Sequence, residues 1–190
     1  MKKIAISIAL FGLLGISATS YAALEDRGNG LIYDTDLNLT WLADANYSKS
    51  SGYHTTGSMN WGAANTWAAD LNFQGHNDWR LPTTDEMNHL FYGELGGTAG
   101  RNISTDHNLY YDLFSNVQDN YWSSSEEPNN SNNALGYRFN YGTYSGDSFA
   151  DNKTIGHYAM AVSAVPESET YALFLAGLGL LGWRMRNAQR

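Results

Sequence analysis

The segment NDWRLPTTDEMNHLF, residues 77–91, requires a strand to end and a helix to begin within a few residues. Trp79 and Leu81 alternate with Asp78 and Arg80, the period-2 pattern of a half-buried strand. Pro82 stops the pairing, because it has no N–H to give to a ladder. Thr83 and Glu86 stand at the spacing of a capping box, which predicts a helix start. Beyond it Met87, Leu90, Phe91 and Leu95 share one helical face, and Gly96-Gly97 ends the helix. The segment carries no catalytic constellation, so its expected role is architectural.

Both ends of the chain read as processing signals. Met1-Lys2-Lys3 is a charged start, residues 4–16 are apolar, and Ser20-Tyr21-Ala22 is a small-x-small cleavage site. This predicts a secretory signal peptide over residues 1–22, since so short an apolar run is too brief to span a bilayer. At the other end Val165-Pro166-Glu167 precedes the apolar run YALFLAGLGLLGW (171–183), and Arg184, Arg186 and Arg190 close the chain. The pattern resembles the PEP-CTERM sorting signal, with Ser168 where that family usually has a second proline. The resemblance implies recognition and cleavage of residues 165–190 by exosortase, a transpeptidase-like membrane enzyme. It also implies an exopolysaccharide-producing Gram-negative bacterium, with display at its surface and only transient membrane contact through the tail.

Between the two ends lie residues 23–164, enough for one domain with a real core. The whole chain carries 11 basic and 19 acidic side chains. Setting aside Lys2, Lys3, Arg184, Arg186, Arg190, Glu167 and Glu169 leaves 6 basic against 17 acidic, a net of −11. Such a charge argues against nucleic acid or an anionic membrane as partner. There is no cysteine, so packing rather than disulfides must hold an exported domain together.

Along the domain, two short strands are expected near Leu31–Tyr33 and Leu39–Leu42. Asp34-x-Asp36-x-Asn38 between them lacks the glycine and distal glutamate of an EF-hand loop and reads as an Asx-rich turn. Residues 47–58 read as a loop. Asn60 offers an N-cap to a helix in which Trp61, Ala64, Trp67, Ala68 and Leu71 recur at helical spacing. Two tryptophans on one helix could form a sugar platform, although core packing is the commoner use. Residues 96–120 form a long loop with an apolar patch at 109–114. Strands are then expected at 121–125, at 134–141 with Leu135, Tyr137, Phe139 and Tyr141 on one face, at 145–150, and at 157–162. Two helices, a small mainly antiparallel sheet and long loops make an α+β domain.

Several of these segments resemble one family in order: DRGNGLIYDTDLNLTWL, MNWGAANTWAADLNFQGHNDWRLPTTDEM, YWSSS, and ALGYRFNYG with HYAMAV. The resemblance is to the Lcl C-terminal-type domain and covers residues 26–162. It implies a C-type-lectin-like fold shared with formylglycine-generating enzymes, occurrence on bacterial surfaces, and glycan binding in some members. Trp79, Arg80, Leu81, Pro82 and Trp122 fit the family's pattern in a structural role. The family often carries paired cysteines and a closing Val-Arg; this chain has no cysteine, and Ser163 follows Val162. Chemistry of the formylglycine-generating type depends on cysteine and is excluded.

No enzyme site emerges from the residues. Carboxylate pairs such as Asp78/Glu86 or Glu126/Glu127 are unavoidable among so many acids, and none sits in a hydrolase motif. The histidines at 54, 76, 89, 107 and 157 show no HxxxH spacing, so neither metal nor cofactor is expected. Glu127-Pro128-Asn129 matches half of the calcium and mannose site of C-type lectins, but no Trp-Asn-Asp triplet follows it. Seven of the 13 tyrosines lie between Tyr110 and Tyr158, among Asn, Ser and Gly. Ring faces for stacking and amides for hydroxyls are what a neutral polysaccharide requires. Tyr121, Trp122, Glu127, Asn129, Tyr141 and Tyr144 are therefore the candidate glycan contacts. The expected function is non-enzymatic attachment to extracellular polysaccharide or a matrix protein; a structural matrix protein and a polysaccharide-acting enzyme are the alternatives.

Overall fold

The computed structural model describes residues 24–164; the predicted signal peptide and the sorting motif Val165, Pro166 and Glu167 lie outside the described residues. Strands β1 (Leu24–Gly28), β2 (Leu31–Asp34) and β3 (Leu39–Leu42) open the domain. Helix α1 (Tyr47–Ser50) is a single turn where a loop was expected, and α2 (Trp61–Ala69) follows. Next come β4 (Trp79–Arg80) and α3 (Thr84–Asn88), which continues as a π-helix over His89–Glu94. Strands β5 (Asn120–Glu126), β6 (Asn133–Arg138), β7 (Ser148–Asn152) and β8 (Val162–Ala164) complete the set.

The architecture is α+β, with two antiparallel sheets where the sequence suggested one. The first has the order β1-β2-β3-β8-β4 and the second β5-β6-β7. The closing strand β8 inserts between β3 and β4, pairing Trp41 with Val162 and Trp79 with Ser163. Strand pairing begins at Val162 rather than at His157, because residues 157–161 cross between the sheets instead. His157 bridges to Met59, and the Trp122 N–H donates to Tyr158 O at 2.9 Å. Ser163 donates its hydroxyl to Asp78 Oδ1 at 2.6 Å.

The central segment folds as its pattern dictates. Trp79 is buried, and its indole N–H donates to His76 O at 3.1 Å. Both halves of the capping box form: Thr83 Oγ1 accepts from the Glu86 N–H at 3.1 Å, and Glu86 Oε2 accepts from the Thr83 N–H at 2.8 Å. Met87, Leu90, Phe91 and Leu95 are all buried, and Gly96 takes φ +70°, the left-handed conformation that glycine tolerates best. The Ser124 N–H donates to Pro82 O at 2.9 Å, so the WRLP and YWSSS segments meet. Asn60 caps α2 by accepting from the Ala63 N–H at 2.8 Å. Small Ala64 and Ala68 let that helix approach Trp79 and Trp122 closely in one core cluster. A second cluster gathers Trp41, Phe91, Tyr121, Tyr137 and Phe139. Neither α2 tryptophan forms an open platform: Trp67 is buried, and half-buried Trp61 lies beneath the Lys153 ammonium, 4.6 Å from its ring.

Arg80 grips Glu86 with two nitrogens, at 2.8 and 2.6 Å. Burial disfavours the Glu86 carboxylate, but hydrogen bonds from Arg80 and Thr83 outweigh it, and the carboxyl titrates below its ordinary value. A carboxyl with a lowered folded pKa stabilises at pH values above its unfolded value, about 4.3, and that contribution disappears as pH falls through the folded value. Arg80→Met should therefore cost about 1 kcal/mol at pH 7. The gap between variant and wild type should narrow as pH falls below the unfolded value and through the lowered folded value of Glu86. Urea midpoints at pH 7 and pH 3 check this; an equal gap at both would refute the linkage.

Candidate functional site

The exposed aromatic surface lies where β6 leaves its sheet. Alternation along residues 134–141 predicted one apolar face, yet Tyr137 and Phe139 are buried while Leu135 is only half-buried and Tyr141 is exposed. The period breaks because β6 ends at Arg138 and the chain then turns through a 3-10 segment, Gly142–Tyr144. Gly142 and Gly146 take φ +58° and +88° to make that turn.

The turn is held from below. The Tyr141 N–H donates to Ser145 Oγ at 2.7 Å, and Asn102 Oδ1 accepts from the Gly142 N–H at 2.7 Å and the Ser145 hydroxyl at 3.0 Å. Gly146 O accepts from the hydroxyls of Tyr137 and Tyr92, at 2.7 and 3.0 Å. Burial pushes the pKa of both phenols up, so both stay protonated donors at neutral pH. On this base Tyr141 and Tyr144 are 51% and 58% exposed, with ring centres 6.3 Å apart and planes tilted by 48°. The Arg138 guanidinium lies 5.8 and 5.7 Å from the two ring centres and 4.8 Å from Phe149. Two ring faces, a guanidinium and nearby amides can stack on a sugar and hydrogen-bond its hydroxyls.

Tyr121 and Trp122 do not belong to this surface. Both are 0% exposed: aromatic density brought them forward, but they are adjacent residues of a strand enclosed on both sides. The Tyr121 hydroxyl accepts from the Gln118 N–H, and burial raises its pKa well above the ordinary phenol value. The Trp122 indole N–H donates to Met59 O at 3.0 Å, with the His157 ring 4.5 Å away. Glu127 and Asn129 lie in a separate turn. Glu127 Oε2 accepts from Asn133 Nδ2 at 2.8 Å, and its backbone O accepts from the Asn130 N–H, so the triplet closes on its own loop. Asn129 is exposed.

Sequence reasoning missed Arg138 and Asn102, the latter because its role comes from tertiary contacts 40 and 43 residues away. It also missed a convergence of titratable groups. Asp34, His89 and Glu94 each offer a donor atom within 4.8 Å of the others, and the two carboxylates are fully buried. Burial and the Asp34 charge raise the pKa of Glu94, against the opposing pull of His89. Histidine spacing does not reveal this group, because its partners are acids and one of them lies at the end of the distant strand β2.

The fold and this surface define a small α+β domain with a fixed aromatic turn and no cysteine chemistry. The chain belongs to the Lcl C-terminal domain family, whose model matches residues 30–163, well over half of the 190 residues. That membership fits a bacterial domain of secreted or surface type. No curated protein matches the chain.

Proposed function

We propose that this protein is a non-enzymatic domain of the exopolysaccharide matrix that attaches to a neutral polysaccharide through Tyr141 and Tyr144. The reading takes its fold as C-type-lectin-like. The observation that carries it is the pair of half-exposed tyrosine rings on a turn anchored by Asn102, Ser145 and Gly146. A turn fixed in advance loses little entropy when a ligand settles on it. The net negative domain disfavours a polyanionic ligand, and Arg138 is already engaged with three rings and Ser148 O.

Titration of the purified full chain with neutral polysaccharides should give saturable binding without release of reducing ends. At about 1 kcal/mol per aromatic contact, Tyr141→Ala with Tyr144→Ala should weaken binding about thirtyfold at unchanged thermal stability. Glu127→Ala should leave it unaltered, and a rise from low to physiological salt should change it little, since stacking is largely uncharged. Reducing-sugar release would instead favour an enzyme. Self-association or protein capture without polysaccharide retention would favour a structural matrix role.

The same reading assigns the first 22 residues to export and residues 165–190 to exosortase sorting, on the strength of the Pro166-Glu167, apolar and arginine pattern. Intact-mass analysis of surface protein should show the chain cut near Pro166-Glu167. Mature protein still ending at Arg190 would remove the sorting assignment and leave the binding surface untouched.

A further inference from the structure

We propose that Asp34, His89 and Glu94 form a binding site for one divalent transition-metal ion of the zinc class, which clasps the β2–β3 turn to the central helix. The site depends on the π-helix. In an α-helix, side chains five residues apart point about 140° away from each other at 3.6 residues per turn. Here the backbone bond runs from the Leu95 N–H to Leu90 O, a five-residue step, and the wider turn brings His89 and Glu94 onto one side. His89 Nε2 lies 2.9 Å from Glu94 Oε1 and 4.0 Å from Asp34 Oδ1. Isolated π turns recur at functional positions because they re-aim side chains in this way. Gly93 leaves the His89 ring its place, since a Cβ there would stand 3.3 Å from the imidazole.

Two further observations point to a cation. Glu94 Oε2 is buried without a hydrogen-bond partner, although the side chain is 0% exposed. An orphaned carboxylate oxygen in the interior is costly unless a proton or a metal meets it. Charge gives the same answer. Among the described residues no lysine or arginine pairs with either carboxylate, so an imidazolium would still leave one net negative charge. A divalent ion with neutral imidazole balances the two carboxylates completely. The donor set, one imidazole nitrogen and two carboxylate oxygens, suits zinc and its neighbours better than calcium, which prefers oxygen throughout.

Asp34 is already oriented for such a task. Its Oδ1 accepts from the backbone N–H groups of Asp36 and Leu37, at 3.1 and 2.9 Å, and its Oδ2 from the Trp41 indole at 3.3 Å. Partners of this kind fix a ligand's direction. His89 is 29% exposed and supplies the way in from solvent. Ligands about 2.0–2.2 Å from zinc stand closer together than 4.0 Å, so the imidazole swings toward Asp34 on binding.

The test strips the purified full chain with chelator, desalts it and titrates it with Zn2+ by calorimetry and thermal melting. One equivalent should bind and raise the melting temperature, and the His89 ring nitrogen signals should shift in NMR spectra of the wild type. Glu94→Gln and His89→Gln should each weaken binding about a hundredfold or more, beyond the ten- to hundredfold loss typical of supporting residues. His107→Gln should leave it unchanged. The proposal is overturned by absence of stoichiometric binding, by binding that both variants retain, by response to Ca2+ alone, or by unmoved His89 signals. The NMR readout needs no variant and so stands even if Glu94→Gln fails to fold.

Discussion

Trp122→Ala should cost the domain about 3–5 kcal/mol, as other aromatic truncations in cores do. The indole is 0% exposed and touches both sheets' surroundings: its N–H holds Met59 O, while the rings of His157 and Phe149 lie 4.5 and 6.1 Å away. Truncation would leave a cavity beside the segment that joins the two sheets and remove one of two hydrogen bonds to Met59 O, which keeps the His157 N–H at 3.0 Å, so the transfer and cavity terms dominate. The check is a urea titration of wild type and variant at pH 7. A midpoint that barely moves would mean that Trp122 stands outside the core. Any loss of polysaccharide binding in this variant should follow unfolding, whereas the Tyr141 and Tyr144 variants should lose binding while folded.

How far the sequence could be read follows from the kind of signal each element emits. Residues 79–96 announced themselves through local rules: proline stops a ladder, Thr83 and Glu86 cap each other, and glycine ends a helix. Those rules act within a few residues, so no tertiary knowledge was needed. The insertion of β8 between β3 and β4 depends on pairings across more than eighty residues, which periodicity does not encode. Residues 47–50 wind helically although their composition is that of a loop, and the apolar patch at 109–113 winds as a 3-10 turn too short for periodicity to mark.

The aromatic surface was half legible for the same reason. Tyrosine density between 110 and 158 took in the exposed pair Tyr141 and Tyr144, but density does not separate a ring enclosed by two layers from one on a turn. Tyr121 and Tyr144 look alike in sequence; one packs against Phe139 at 5.5 Å and the other is 58% exposed. Asp34, His89 and Glu94 were illegible because a π turn, not a sequence spacing, brings two of them together.

Gly136→Ala should destabilise by about 3 kcal/mol, at the upper end of ordinary overpacking, and lower the melting temperature by about 10 °C. Gly136 is the middle residue of the three-stranded sheet, opposite Trp122 on one side and Phe149 on the other. A Cβ there would stand 2.5 Å from Tyr121 O and run into the Phe149 ring. Phe149 could turn aside, but the Tyr121 carbonyl is backbone within the same ladder and cannot move without shifting the strand. Glycine ordinarily weakens a strand interior, so its presence signals close approach rather than flexibility. Here it opens the slot in which Phe149 reaches the Trp122 and His157 rings, at 6.1 and 4.8 Å. Gly136→Ala and Phe149→Ala should therefore couple. With Phe149→Ala in the background, part of the Gly136→Ala cost should vanish, because one of the two clashes is gone, while the clash with Tyr121 O remains. Additive losses in that double-mutant cycle would show that the Phe149 ring yields freely and that the backbone contact alone forbids a side chain at this position.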